Sequence, residues 1–135
     1  MSFNIRVRPL IDGKAYVKRS HQKSLRFTSD TDFYNFPLGD SASDITEIDT
    51  DYFEVLGDGQ IRLLQSGSYV ISTSWAVQDL DDAGDNKYTF AVFRGIDLLG
   101  YLGIGFADIV GNDQEFAYSG TFQFYFTAND VIDIK

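Results

Sequence analysis

The chain has 135 residues, 44% of them hydrophobic and 16% aromatic, the size of one domain with enough apolar surface for a packed core. It contains no cysteine, which excludes disulfide staples and thiolate metal sites. Its net charge of −9 at pH 7 repels nucleic acid and anionic membrane, so neither is expected as a partner.

The charge is unevenly spread. Residues 1–26 hold seven basic side chains (Arg6, Arg8, Lys14, Lys18, Arg19, Lys23 and Arg26) against the single acid Asp12. The pattern reads as a basic N-terminal arm with strand character over 1–26 on an acidic body over 27–135. Arg6, Arg8, Lys14, Lys18, Arg19 and Lys23 are candidate docking residues for a larger acidic assembly. The first ten residues, MSFNIRVRPL, hold two arginines and no uninterrupted apolar stretch. They resemble neither a secretory signal nor a membrane span, so synthesis in a cytoplasm is expected.

Apolar residues recur at every second position along most of the chain, the period of strands. FNIRVR alternates Phe3, Ile5 and Val7 with Asn4, Arg6 and Arg8, and Pro9 then ends the ladder because it lacks a backbone donor. AYVKR and SLRFT read as short strands. The acidic, turn-rich stretch from Thr28 to Glu54, with breakers Pro37 and Gly39, reads as a long connection holding one or two short strands. QIRLLQ follows between two glycine turns. SYVISTSWAVQ then sets Tyr69, Ile71, Thr73, Trp75 and Val77 on a bulky face suited to a core. Ser68, Val70, Ser72, Ser74 and Ala76 form a face of small residues suited to close approach by another layer or subunit. DLDDAGDN reads as a polar loop, KYTFAVF and IDLLGYL as a hairpin around RG, and GFADIV, EFAYSGTFQFYF and DVIDIK as the remaining strands. About ten short strands of this kind predict an all-β, two-sheet sandwich or jelly roll.

Two segments carry a family likeness. DYFEVLGDGQIRLLQSGSYVISTSW and YSGTFQFYFTANDVIDIK resemble the signatures of tumour-necrosis-factor and complement-head jelly rolls, with FAVFRGIDL between them as the family's short hairpin. AND stands where the family commonly has AGD or KGD. The likeness covers about residues 52–135. It implies a ten-stranded jelly roll forming a homotrimer, with Val70, Ser72, Tyr118, Gln123 and Tyr125 at positions matching the interface near the threefold axis. The family also has a strand after the one matching DVIDIK, lying beside the first strand of the inner sheet. Here the basic arm is the candidate for that place, in its own subunit, in a neighbour or in a host structure.

Catalytic chemistry has little to stand on. His21 lies among Lys18, Arg19 and Lys23 with no carboxylate close in sequence to orient it. No Gly-x-Ser-x-Gly elbow is present, and the glycine-rich run from Gly95 to Gly111 lacks the ending of a phosphate loop. The chain is therefore expected not to be an enzyme and to need no cofactor. Asp79, Asp81, Asp82 and Asp85 are weak calcium candidates, since clustered carboxylates on a loop can supply several of the oxygens calcium needs. A second acidic run holds Asp44, Glu47, Asp49 and Asp51. Trp75, the one tryptophan, reads as core, whereas Tyr34, Tyr52 and Tyr101 are the better candidates for a sugar-stacking platform.

These features lead to the expectation of a bacteriophage structural protein, a capsid decoration or head-fibre protein that trimerises and docks on the virion through the major capsid protein or another virion protein. The alternatives are a tail-fibre tip binding host-surface glycan or receptor, and a non-viral adhesion head of the same fold.

Overall fold

The computed structural model describes residues 2–10, 17–22, 44–57, 59–79, 84–109 and 114–135. Within these, the side chains of Ser2, Phe3, Thr46, most of β2 and the far ends of β6 to β9 lie outside the description. No helix occurs among the described residues, which form ten strands: β1 (Ser2–Pro9), β2 (Val17–Gln22), β3 (Ile45–Glu47), β4 (Phe53–Val55), β5 (Gln60–Leu63), β6 (Gly67–Asp79), β7 (Gly84–Arg94), β8 (Asp97–Ile109), β9 (Gln114–Phe126) and β10 (Val131–Ile134). The expected strand SLRFT, Arg26 and Tyr34 lie outside the described residues, as do Lys14 and Lys23.

The strands pair into two five-stranded sheets in the orders β3-β2-β1-β6-β9 and β4-β5-β10-β7-β8. All their pairings are antiparallel. The protein is an all-β sandwich whose first and last strands, β1 and β10, occupy the middle of one sheet each. β1 pairs with β2 on one side and with β6 on the other, from Ser2 opposite Ala76 to Pro9 opposite Tyr69. Residues 2–9, set apart by their charge in the sequence, therefore form the central strand of their own subunit's sheet.

Alternation decides what is buried. Ile5, Val7 and Val17 from β1 and β2, with Tyr69, Ile71 and Trp75 from β6, meet Ile61, Leu63, Ile132 and Ile134 of the other sheet, all 2% exposed or less. The bulky face read on β6 is the core face, with the polar Thr73 also buried. Trp75 stacks on Phe90 with ring centroids 3.8 Å apart. Phe53, Tyr69 and Phe126 continue the layer edge-on at 6.0 and 6.1 Å, geometries worth about 0.5–1.5 kcal/mol per pair beyond area burial. The Tyr69 hydroxyl donates to the Gln65 carbonyl at 2.6 Å, so its polar end is satisfied.

Three elements differ from the sequence expectation. β6 continues to Asp79 and β7 begins at Gly84, so the polar loop is shorter than DLDDAGDN. β8 is one strand of 13 residues where two short ones were expected. Its pairing with β7 is interrupted by two register shifts, between Phe90 and Ala91 and between Val92 and Phe93. The glycines of β8 make room across the sandwich: a Cβ on Gly103 would lie 2.7 Å from the Trp75 ring, and one on Gly100 would meet the Phe122 ring.

The TAND corner between β9 and β10 is a tight turn. Asp130 N donates to the Thr127 carbonyl at 3.0 Å and Thr127 N to the Asp130 carboxylate at 2.9 Å. Asn129 has φ 74°, the left-handed region that asparagine tolerates better than most residues.

Candidate assembly interface

Register places two groups of residues on one surface. Across β1, β6 and β9, Arg8 lies opposite Val70 and Val70 opposite Gln123; Arg6, Ser72 and Thr121 form the next row, and Asn4, Ser74 and Ser119 the one after. Ser68 and Tyr125 are paired at the other end. These positions alternate with the buried ones, so all belong to the outer face of the first sheet. Arg6, Arg8, Ser74, Ser119, Thr121 and Gln123 are exposed and Val70 and Ser72 half-buried. Tyr125 is 60% exposed.

Four of the five expected interface residues, Val70, Ser72, Gln123 and Tyr125, thus share this face. Tyr118 is the register partner of Trp75, in the alternate series, and its side chain lies outside the described residues. Arg6 and Arg8, read from the sequence as docking residues, stand on the same face directly beside Val70 and Ser72. The outward alternation of both arginines is visible in FNIRVR. Their pairing with β6 is not, because nothing local names a partner strand some seventy residues away.

In a chain of 20 acidic and 11 basic residues, no described side chain of β1, β6 or β9 is a carboxylate. Glu47 is exposed on β3 at the far edge, in the row that runs through Lys18 to Arg6. The face offers guanidinium groups, hydroxyls, amides and one phenol over a bed of small residues. Such a set binds by hydrogen bonding and close approach.

The opposite sheet is different in kind. Arg62 pairs with Glu54 at 3.1 Å, both partly exposed. The ammonium of Lys135 lies 4.9 Å from the centre of the Phe93 ring, a cation–π distance. Asp133 is buried and accepts from Gln60 Nε2 at 3.2 Å through Oδ2, while its Oδ1 has no partner among the described residues. Burial raises its pKa above the ordinary aspartate value, opposed by the Gln60 hydrogen bond and the charge of Lys135.

The remaining candidates are dispersed. Trp75 is buried in the core. Tyr52 is half-buried just before β4 and Tyr101 is 52% exposed on β8, at opposite edges of the second sheet. Asp79 ends β6 and Asp85 lies near the start of β7, in different sheets; their side chains, and the whole of Asp81 and Asp82, are outside the described residues. Lys18, Arg19 and His21 lie on β2, with side chains likewise outside the description. Among the described residues no three His, Asp or Glu side chains gather as a metal site.

Compared with models of protein families and with curated proteins, the chain gives no match.

Proposed function

We propose that this protein is a structural, non-enzymatic component of a bacterial virus, a capsid decoration or head-fibre protein that assembles as a homotrimer and docks on the virion. The observation that carries this reading is the outer face of the first sheet: along β6 and β9 it presents Val70, Ser72, Ser74, Ser119 and Thr121, small side chains edged by the exposed Tyr125. A surface of that kind suits close approach by another copy. Docking on an acidic particle draws on the basic residues concentrated in 1–26.

The strand order supports the likeness to tumour-necrosis-factor and complement-head jelly rolls. β1 lies between β2 and β6, the place where that family's last strand would lie beside its first. Asn129, at φ 74°, occupies the position of the glycine in the family's turn. In this reading the protein is a jelly roll with its final strand supplied from the start of the chain.

Electron microscopy of particles assembled with and without the protein, together with its solution mass, tests the proposal. Threefold density on the particle that disappears when the protein is omitted supports it. A monomer at micromolar concentration, or particles that never take the protein up, overturns it.

A second reading, a fibre tip that binds host-surface glycan, draws on the β7–β8 hairpin, where Ile96 is 93% and Tyr101 52% exposed. Saturable binding to host cells, lost on Tyr101→Ala, would favour that reading.

A further inference from the structure

Strand β10 carries a carboxylate where alternation calls for a surface residue. Ile132 and Ile134 point into the core, so Asp133 between them belongs to the outer side of the second sheet, yet it is only 5% exposed. Its Oδ2 accepts from Gln60 Nε2 at 3.2 Å, and its Oδ1 has no partner among the described residues. A carboxylate shut off from water with an unmet acceptor favours a cation that can donate to it.

Its neighbours supply the rest of a cation site. Phe93 is the register partner of Asp133 on β7, and residues directly opposite on one side of a sheet have Cβ atoms about 5 Å apart. The Lys135 ammonium lies 4.9 Å from the centre of the Phe93 ring, and its charge acts on Asp133. The chain thus sets an ammonium of its own where aromatic face and carboxylate meet, held by a contact that is weak at a partly exposed side chain. Toward β8, the exposed Leu98 lies opposite Phe93 and the exposed Tyr101 opposite the small Ala91, an apolar wall beside the pair. A metal ion is poorly served here. Hard cations need several oxygens, and among the described residues no three His, Asp or Glu side chains gather.

We infer that Asp133 and Phe93 form a binding site for an organic cation carrying N–H donors on an apolar body, a primary alkylammonium being the simplest, and that Lys135 is an internal occupant which such a ligand displaces. The incoming ammonium donates to Asp133 Oδ1 and lies on the Phe93 ring, while its carbon chain runs toward Leu98 and Tyr101. The site belongs to the sheet opposite the proposed assembly face and does not depend on the trimer reading.

Titration of the full chain with n-butylammonium chloride at constant ionic strength, followed by amide NMR, is the test. The Gln60, Phe93 and Asp133 amides are expected to shift and to saturate at roughly millimolar ligand. Asp133→Asn, which keeps the acceptor for Gln60, is expected to weaken binding about tenfold or more. Lys135→Met removes the occupant and is expected to tighten binding about tenfold. Tetramethylammonium, a cation without N–H, is expected to bind about tenfold more weakly than n-butylammonium. Trp75 emission shows that each variant is folded. The inference is overturned by the absence of a saturable shift in both the wild type and Lys135→Met, or by equal affinity in the wild type and Asp133→Asn. Tetramethylammonium binding as tightly as n-butylammonium, or weaker binding by Lys135→Met, overturns it equally.

Discussion

Gly120 of β9 is seated against the carbonyl of Leu102 on β8, so closely that any side chain at position 120 would overlap backbone atoms. The two strands are edges of different sheets, and at this point the sandwich is drawn shut along one side. Gly120→Ala has no flexible neighbour to push aside. It is expected to lower stability by about 3 kcal/mol, at the upper end of the range for an overpacked site. Urea unfolding followed by Trp75 emission measures this, with the exposed Ser119→Ala expected to stay within about 0.5 kcal/mol of the wild type.

The central position of β1 changes what a truncation does. Removing residues 2–9 takes away Ile5 and Val7, splits the first sheet in two and leaves β2 and β6 each with one edge unpaired. The truncated chain is expected to lose its β-sheet circular dichroism and to aggregate, instead of persisting as a folded body without an arm. Ile5→Ala alone is expected to cost about 2–5 kcal/mol. Arg6→Gln and Arg8→Gln are expected to leave protomer stability within about 0.5 kcal/mol. Contributions of the basic residues to docking are therefore best read from point substitutions.

Asn129 offers a backbone test. Its φ of 74° is adopted freely by glycine and poorly by a β-branched residue. Asn129→Gly is expected to be near neutral, and Asn129→Val to cost about 1–2 kcal/mol. A thermal scan of the three proteins checks the order.

Asp133 gives a pH dependence with a definite sign. Its pKa is raised in the folded state, chiefly by burial, so the native protein holds the proton more tightly than the unfolded chain. The protonated form therefore favours folding at low pH, and that contribution is lost as pH rises from the ordinary aspartate value through the raised one. Asp133→Asn keeps an acceptor for Gln60 Nε2 and removes the charge. It is expected to flatten stability across that window and to be more stable than the wild type at neutral pH. A wild type and variant with parallel pH profiles would contradict this.

What could be read from the sequence was what depends on neighbours in the chain. Tyr69, Ile71, Thr73 and Trp75 alternate with Val70, Ser72 and Ser74, and that parity alone separated core from surface on β6. The same parity turned Arg6 and Arg8 outward. What escaped was anything fixed by a distant partner. The glycines of β8 look like punctuation in a one-dimensional string, yet Gly100 and Gly103 are small because Phe122 and Trp75 press on them from the other sheet. For the same reason the arginines and the Val70–Ser72 strip appeared as two surfaces until register joined them.

With Phe3 opposite Trp75 and Ile132 flanked by Ile61 and Arg94, neither sheet grows outward by adding one hairpin after another. During synthesis β1 can zip only to β2 at first; its other edge waits for the chain to reach β6, and β5 and β7 wait for β10 to come between them. Closing such long loops slows folding and leaves strand edges open in the meantime. Slow refolding, and capture of nascent chains by chaperones before β10 emerges, are the kinetic counterpart of a sandwich in which β1 and β10 each occupy the middle of a sheet.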